Sequence, residues 1–516
     1  MDRRRLPTAI ALSAALALLT LLPLALASGA APDASEFAGF LLNPVDGFSY
    51  LAKMRQGMAG RWAFELPYAA EPGPPAYIFT FYLALGHIAR LLSLPLLAVY
   101  HGVRTVAVFL MGLAAYAFFS RAIPAERPRW LAYCLFLLGS GVGWLAGPLT
   151  IRSSDLYIPE SLAWTSAIAN PHFPLAFALV AAIASLAIGA RTGLREGLLA
   201  ALLGAVLGLV QPLAVISLMA GLGGWLLWGL ILRRRQSARD ILPGAGWVFA
   251  GLSLGAGPWL LYDAALVSSH PVLVAWNQQN QTPSPPPWAF VTGFGLILIY
   301  ALVAVARRSS LPESSWRLCI AWVVTTALLL YAPFNLQRRL VLGMALPLAA
   351  LAGAGLDRIV SSGGSRRWLA AVLVAATVPS HLLVTAAGVF QASTSDPSVL
   401  LLPGERAAYE WLAANAPEGS TVLAAPRSGN RLPAFASVHV LYGHPFETPQ
   451  AERQLSLVTD FFAADSDDPL AAAAGLGADF LLLDPEAQQL GLARAELRDE
   501  PVFAAGAFSL FAARSP

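Results

Sequence analysis

The chain has 516 residues, 57% of them hydrophobic and only 12% charged, where soluble domains carry about 25% charged residues. A mean hydropathy of +0.62 and recurrent apolar runs of roughly 20 residues exclude a soluble enzyme and identify a polytopic membrane protein. The net charge of +3, spread between apolar segments, excludes nucleic acid as a partner, and two cysteines inside apolar segments exclude a disulfide framework or a cysteine metal site.

Apolar segments are expected at 6–27, 97–119, 130–149, 173–190, 198–210, 213–232, 241–261, 289–306, 318–331, 340–355 and 368–390. The first has a basic start like a signal peptide, but its length suits an uncleaved span. Basic loops fall between alternate pairs: Arg3 to Arg5; Arg121, Arg127 and Arg129; Arg191 and Arg195; Arg233 to Arg235 with Arg239; Arg307, Arg308 and Arg317; Arg358, Arg366 and Arg367. The positive-inside rule puts these six groups in the cytoplasm, giving about eleven crossings with the N-terminus inside and the C-terminus outside. Segment 76–94 is apolar enough to span, yet counting it as a crossing would invert every later loop. It is therefore expected to lie along the outer interface or to re-enter.

Between the first span and that segment, residues 43–82 are polar, aromatic and proline-broken. Tyr50, Met54 and Met58 recur at i, i+4 and i+8, which predicts an amphipathic helix lying on the membrane with Asp46 at the interface. A carboxylate near Phe48, Tyr50, Trp62 and Phe64 would have its charged form disfavoured, which suits a general base. Lys53, the sole lysine among 33 basic residues, and Arg55 would snorkel toward headgroups or contact a phosphate.

The same topology places Asp155, Glu160, Asn170 and His172 in the second outer loop and Gln337, Arg338 and Arg339 in the fifth. Asp155 or Glu160 could supply a second carboxylate. Asn170-Pro171-His172 opens the next helix, with His172 expected at the membrane surface. Arg338 and Arg339 could anchor lipid headgroups or clamp a phosphate through paired guanidinium donors.

From about Leu402 the composition changes, with Asp and Glu appearing regularly and the apolar runs shortening. PGERAAYEWLAANAPEGS reads as a helix, TVLAAP, VHVLYG and ADFLLLDP as strands, and PVFAAGAFSLFAARS as a hairpin turning at Ala505 and Gly506. The expected fold is an all-α polytopic membrane domain over 1–398, its first outer loop (30–96) carrying interfacial helices, and a small extracytoplasmic α/β domain over 399–516. His439, Tyr442 and His444 sit near predicted strand ends and, with no further ligand at metal spacing, are assigned no site.

An Asp soon after the first span, an interfacial helix with Tyr50-Leu51, the Pro74-Pro75 aromatic stretch, many spans and an α/β tail resemble the glycosyltransferase C (GT-C) superfamily. Asn170-Pro171-His172-Phe173-Pro174 and Gln337-Arg338-Arg339 are similar to the second-loop and late-loop segments of bacterial members. The resemblance implies a glycosyltransferase of the bacterial inner membrane that moves a sugar from a polyprenyl-phosphate donor to a glycan, lipid or protein acceptor on the outer face. Asp46 would be the base or acceptor-orienting carboxylate, Asp155 and Glu160 further catalytic candidates, and Asn170, His172, Arg338, Arg339, Tyr50 and Lys53 substrate-binding ones. The frequent Asp-Glu pair is missing, because position 47 is Gly, and with it the support for a divalent metal held there. A transporter or flippase for a polar or lipid-linked substrate and a non-catalytic assembly protein are the alternatives.

Overall fold

A computed structural model describes residues 5–32, 35–188, 193–231, 236–307, 311–362, 367–394 and 396–513. Of the arginines used for topology, Arg3, Arg4, Arg191, Arg233 to Arg235, Arg308 and Arg366 lie outside the described residues. The chain divides into two compact units.

The first unit comprises Met1–Pro23, Gly102–Tyr262 and Thr282–Ala387, and among its described residues it is helical, as each apolar segment must be if its backbone is to satisfy itself in hydrocarbon. Each of the eleven expected segments carries helix over most of its length. By length and composition, four helices of the chain can cross a membrane among the described residues: Leu6–Ala30, Leu96–Ala122, Pro212–Ile231 and Pro287–Ala306. Two pairs bent by 44° at short breaks, Glu126–Leu138 with Gly143–Leu149 and Trp368–Ala375 with Pro379–Ser393, raise the number to six if each is one span. Some polar groups inside this unit are tied to backbone or to each other. The buried Arg104 guanidinium donates to the Ala167 carbonyl at 2.9 Å and the Thr20 carbonyl at 3.3 Å, and Ser13 meets the Tyr133 hydroxyl at 2.9 Å.

The second unit comprises Leu24–His101, Asp263–Gln281 and Gly388–Pro516. Strand β1 (Glu36–Phe37) pairs antiparallel with β2 (Leu400–Leu401). The tail then builds a five-stranded sheet from β3 (Thr421–Leu423), β4 (His439–Val440), β5 (Phe480–Leu483), β6 (Phe503–Ala505) and β7 (Phe508–Ala512), in the order β4-β3-β5-β7-β6. Strands β4, β3 and β5 are parallel, while β7 runs antiparallel to both β5 and β6. Side chains alternate between faces with the strand period of two. Val422, Leu482 and Leu510 pack against helices Glu405–Asn415 and Pro426–Phe435, while Leu423, Leu481, Leu483 and Phe511 pack against Ala451–Ala463 and Pro469–Gly475. All four tail segments expected as strands or hairpin are present, the hairpin turning at Gly506 with φ 57°.

The first outer loop belongs to this same unit. Helix Pro44–Met58 packs against helix Thr80–Leu92 and against Pro426–Phe435 of the tail. Gly57 and Gly86 permit the first of these contacts: a Cβ on Gly57 would lie 2.0 Å from the Leu83 carbonyl oxygen, and one on Gly86 2.0 Å from that of Met54. The face read as resting on a membrane is thus turned inward, with Met54 fully buried and Tyr50 stacked on Tyr82 at 4.2 Å between ring centroids. Helix Thr80–Leu92 has 13 residues, short of the roughly 20 a crossing needs. Ile88, Leu91, Leu92 and Leu94 around its end are exposed.

Candidate active site

Asn43 takes a left-handed conformation (φ 49°, ψ 60°), which Asn tolerates better than most residues, and Pro44 then sets the first helical turn. Asp46 sits in that turn, where the helix N-terminus favours a negative charge. Its Oδ2 accepts a hydrogen bond from the Asn43 amide. Its Oδ1 lies 3.0 Å from Nε2 of His444, and 27% of the Asp46 side chain is exposed against 2% of His444.

The ring of His444 is held in one tautomer. Its Nδ1 accepts from the backbone N–H groups of Phe446 and Glu447, both at 3.1 Å, so the proton of the neutral ring is on Nε2 and is donated to Asp46. Thr448 Oγ1 accepts from the N–H groups of Gly443 and His444 and closes the loop from behind. His444 follows β4 on the carboxyl side of a parallel strand, the edge where α/β sheets commonly present functional groups.

A second contact fixes the same loop to the same helix. Lys53 is fully buried and donates to Glu447 Oε1 at 2.8 Å and Oε2 at 2.9 Å, and the Ser49 hydroxyl adds 2.7 Å to Oε1. The ammonium lies 4.4 Å from the Phe79 ring centroid and 5.2 Å from that of Tyr50. Burial pushes the Glu447 carboxyl up, but Lys53, the neighbouring His444 and the Ser49 hydroxyl together hold it below its usual value. Lys53 therefore neither snorkels nor faces a phosphate. The expectation fails because its counter-charge is supplied from far along the chain. Tyr50 serves as one wall of this enclosure.

The remaining sequence candidates belong to the other unit. Asp155 is fully buried, accepting from the Ser153 hydroxyl at 2.5 Å and the Gly143 N–H at 3.2 Å. Burial raises its carboxyl above the usual value despite those bonds. Glu160 is 3% exposed on the 3-10 turn Pro159–Ser161, and its Oε2 has no hydrogen-bond partner among the described residues. That turn packs against the 3-10 turn Gln337–Val341, which carries Arg338 and Arg339, half-buried and with both Nε atoms unpartnered. Glu160 and the two arginines are thus gathered in one region. His172 and Asn170 are buried, His172 against the Phe173 ring at 4.0 Å, so His172 does not face outward as expected.

Sequence reasoning passed over His444 and Glu447. The available signal was the run His444-Pro445-Phe446-Glu447-Thr448-Pro449, two hydrogen-bonding side chains bracketed by prolines directly after a predicted strand. As for a metal at Asp46, its two oxygens already face the Asn43 amide and the His444 N–H, position 47 offers no carboxylate, and no three metal-ligating side chains gather among the described residues. The donor set does not fit a divalent cation there.

No family model and no curated protein match the sequence. Solved structures do. The oligosaccharyltransferase of Archaeoglobus fulgidus, solved with zinc and sulfate, aligns at TM-score 0.54 and 13% identity over 92% of this chain and 67% of its own. ArnT from Cupriavidus metallidurans aligns over 98% of both chains, at TM-score 0.53 and 14% identity in the apo state and 0.54 and 11% with undecaprenyl phosphate bound. Mycobacterial arabinofuranosyltransferase AftD aligns at TM-score 0.53 and 15% identity over this whole chain and 42% of its own. At these identities the likeness is one of fold, and the chain has the fold of the GT-C glycosyltransferases.

Proposed function

We propose that the chain transfers a glycosyl group from a polyprenyl-phosphate-linked donor to an acceptor hydroxyl on the outer face of a membrane. The observation that carries this reading is the Asp46 carboxylate, open to approach yet oriented from one side by Asn43 and from the other by the Nε2–H of His444. The acceptor hydroxyl gives its proton to Asp46 as its oxygen bonds to the anomeric carbon. The bond from that carbon to the donor phosphate oxygen breaks, and its electron pair leaves on the polyprenyl phosphate. The histidine keeps the carboxylate aimed and stabilises its charge before the proton arrives.

The GT-C fold supports the reaction class, and the ArnT structure with undecaprenyl phosphate supports the donor class. Arg338 and Arg339, whose half-buried, incompletely paired guanidinium groups suit a phosphate, are the phosphate-binding candidates of the first unit. Asp155 and Glu160 are secondary candidates, and an outer-face location follows from the arginine distribution.

The test is purification of Asp46→Asn beside the parent and incubation of both with labelled polyprenyl-phosphate sugars. Turnover by the parent and a loss of about 10²- to 10⁴-fold in a folded Asp46→Asn are expected. Retained turnover in Asp46→Asn would refute the role of Asp46. A parent inert with every lipid-linked sugar, but moving one across vesicles, would favour a flippase.

A further inference from the structure

Helix Pro44–Met58 has a second face. Arg55 lies nine positions after Asp46, about half a helical turn round the axis from it. With Phe48 and Leu51 it forms one wall of a groove of about 390 Å³, completed by Phe37, Leu97 and Phe435. The volume is far above the roughly 30 Å³ that one liquid water occupies. Arg406 and Glu410 stand at this groove as well, but Arg406 is already committed: it donates to both oxygens of Glu36 at 2.6 Å, lies 3.7 Å from the Glu410 carboxylate and 5.4 Å from the centroid of the Phe435 ring. Arg55 differs. It is half-buried, burial disfavours its charge, and no carboxylate among the described residues pairs with it.

A guanidinium held against apolar walls is stable when an anion with matching oxygens reaches it. The apolar walls call for a ligand whose remainder is hydrocarbon. The groove is also lined by Pro95, Leu96 and Leu97, where the membrane-length helix Leu96–Ala122 begins, and the preceding Leu91, Leu92 and Leu94 are exposed. An anionic group attached to an acyl chain, arriving from a bilayer, meets all three conditions.

We infer that this groove binds one anionic phospholipid, with its phosphodiester on Arg55 and the start of an acyl chain against Phe48, Leu51, Leu97 and Phe435. The site lies on the face of the helix turned away from Asp46 and is independent of glycosyl transfer. Its consequence is structural: an anionic lipid braces the wall of the helix whose other face carries the Asp46 site.

The test takes the purified full chain in detergent and titrates it with dihexanoyl phosphatidylglycerol and, separately, dihexanoyl phosphatidylcholine. Binding is read as the rise in thermal unfolding temperature and as lipid retained on the intact protein by mass measurement. The expected result is phosphatidylglycerol bound about tenfold or more tighter than phosphatidylcholine. Arg55→Gln removes that preference, and Ala413→Trp, which fills the groove from an exposed position of helix Glu405–Asn415, blocks both lipids. Equal affinity for the two lipids, or an unchanged preference in Arg55→Gln, overturns the inference. So does displacement of phosphatidylglycerol by undecaprenyl phosphate, which would give the groove to a lipid carrier. If Arg55→Gln does not fold, Ala413→Trp decides, and undiminished phosphatidylglycerol binding in that variant overturns the inference.

Discussion

Lys53→Met is the most demanding test of how the first outer loop is held to the tail. The Lys53 side chain is 1% exposed and that of Glu447 12%, so solvent does little to screen the pair. Removing the ammonium leaves a buried carboxylate with only the Ser49 hydroxyl donating to it among the contacts described above. Breaking a buried pair in this way costs about 3–5 kcal/mol, whereas replacing both partners by apolar groups of similar volume, as in Lys53→Met/Glu447→Leu, costs within about 1 kcal/mol. The double mutant should therefore be about 2–4 kcal/mol more stable than Lys53→Met alone. The folded pKa of Glu447 lies below its unfolded value of about 4.3, so its stabilising contribution is complete above that pH and is lost as pH falls through the folded value. The gap between parent and Lys53→Met must accordingly narrow in acid. Unfolding of the purified full chain in detergent, at neutral pH and below pH 4, measures both effects. A loss under about 1 kcal/mol in Lys53→Met, or a gap that widens in acid, would refute the reasoning.

Further outcomes follow from other contacts. His444→Phe should lower kcat about 10²-fold with little change in KM, because it misaligns a carboxylate without removing it. His444→Gln, which keeps an N–H donor, should recover part of that loss, and kinetics with a lipid-linked sugar separate the two. Gly86→Leu drives a side chain into the Met54 carbonyl and should destabilise by about 3 kcal/mol or more, read by thermal unfolding; a neutral outcome would contradict the helix crossing. The Asp155 carboxyl has a folded pKa above its unfolded value, so its ionisation opposes folding, and stability should rise as pH falls from above the folded pKa toward the unfolded one. Asp155→Asn should flatten that slope.

How far the sequence reaches depends on whether a residue's partner is local. The tail strands were legible because alternation and turn residues at Ala505 and Gly506 are local signals, and the sheet reproduces them. Charge parity argues that segment 76–94 does not span, and its helix Thr80–Leu92 has 13 residues where a crossing needs roughly 20. Asp46 stood out as an acidic residue in a polar stretch just after a membrane-length run. Lys53 was misread for the complementary reason. A lysine on an amphipathic helix normally reaches for water, and here it is withdrawn into an aromatic enclosure because Glu447 neutralises it from 394 positions away. His444 is 398 positions from Asp46, and no periodicity or motif spacing links such distant positions.

These long-range contacts also change what the tail is for. An α/β module appended to a membrane domain can be read as a separate binding element. Here the backbone N–H of Glu447 fixes the tautomer of His444 while its carboxylate anchors Lys53, so one residue both locks the loop and orients the ring that aims Asp46. The tail thereby supplies part of the setting of the candidate base. It follows that removing residues 443–449 should lower transfer at least about 10²-fold even where the GT-C fold survives, since Asp46 would keep Asn43 but lose the donor that directs its Oδ1.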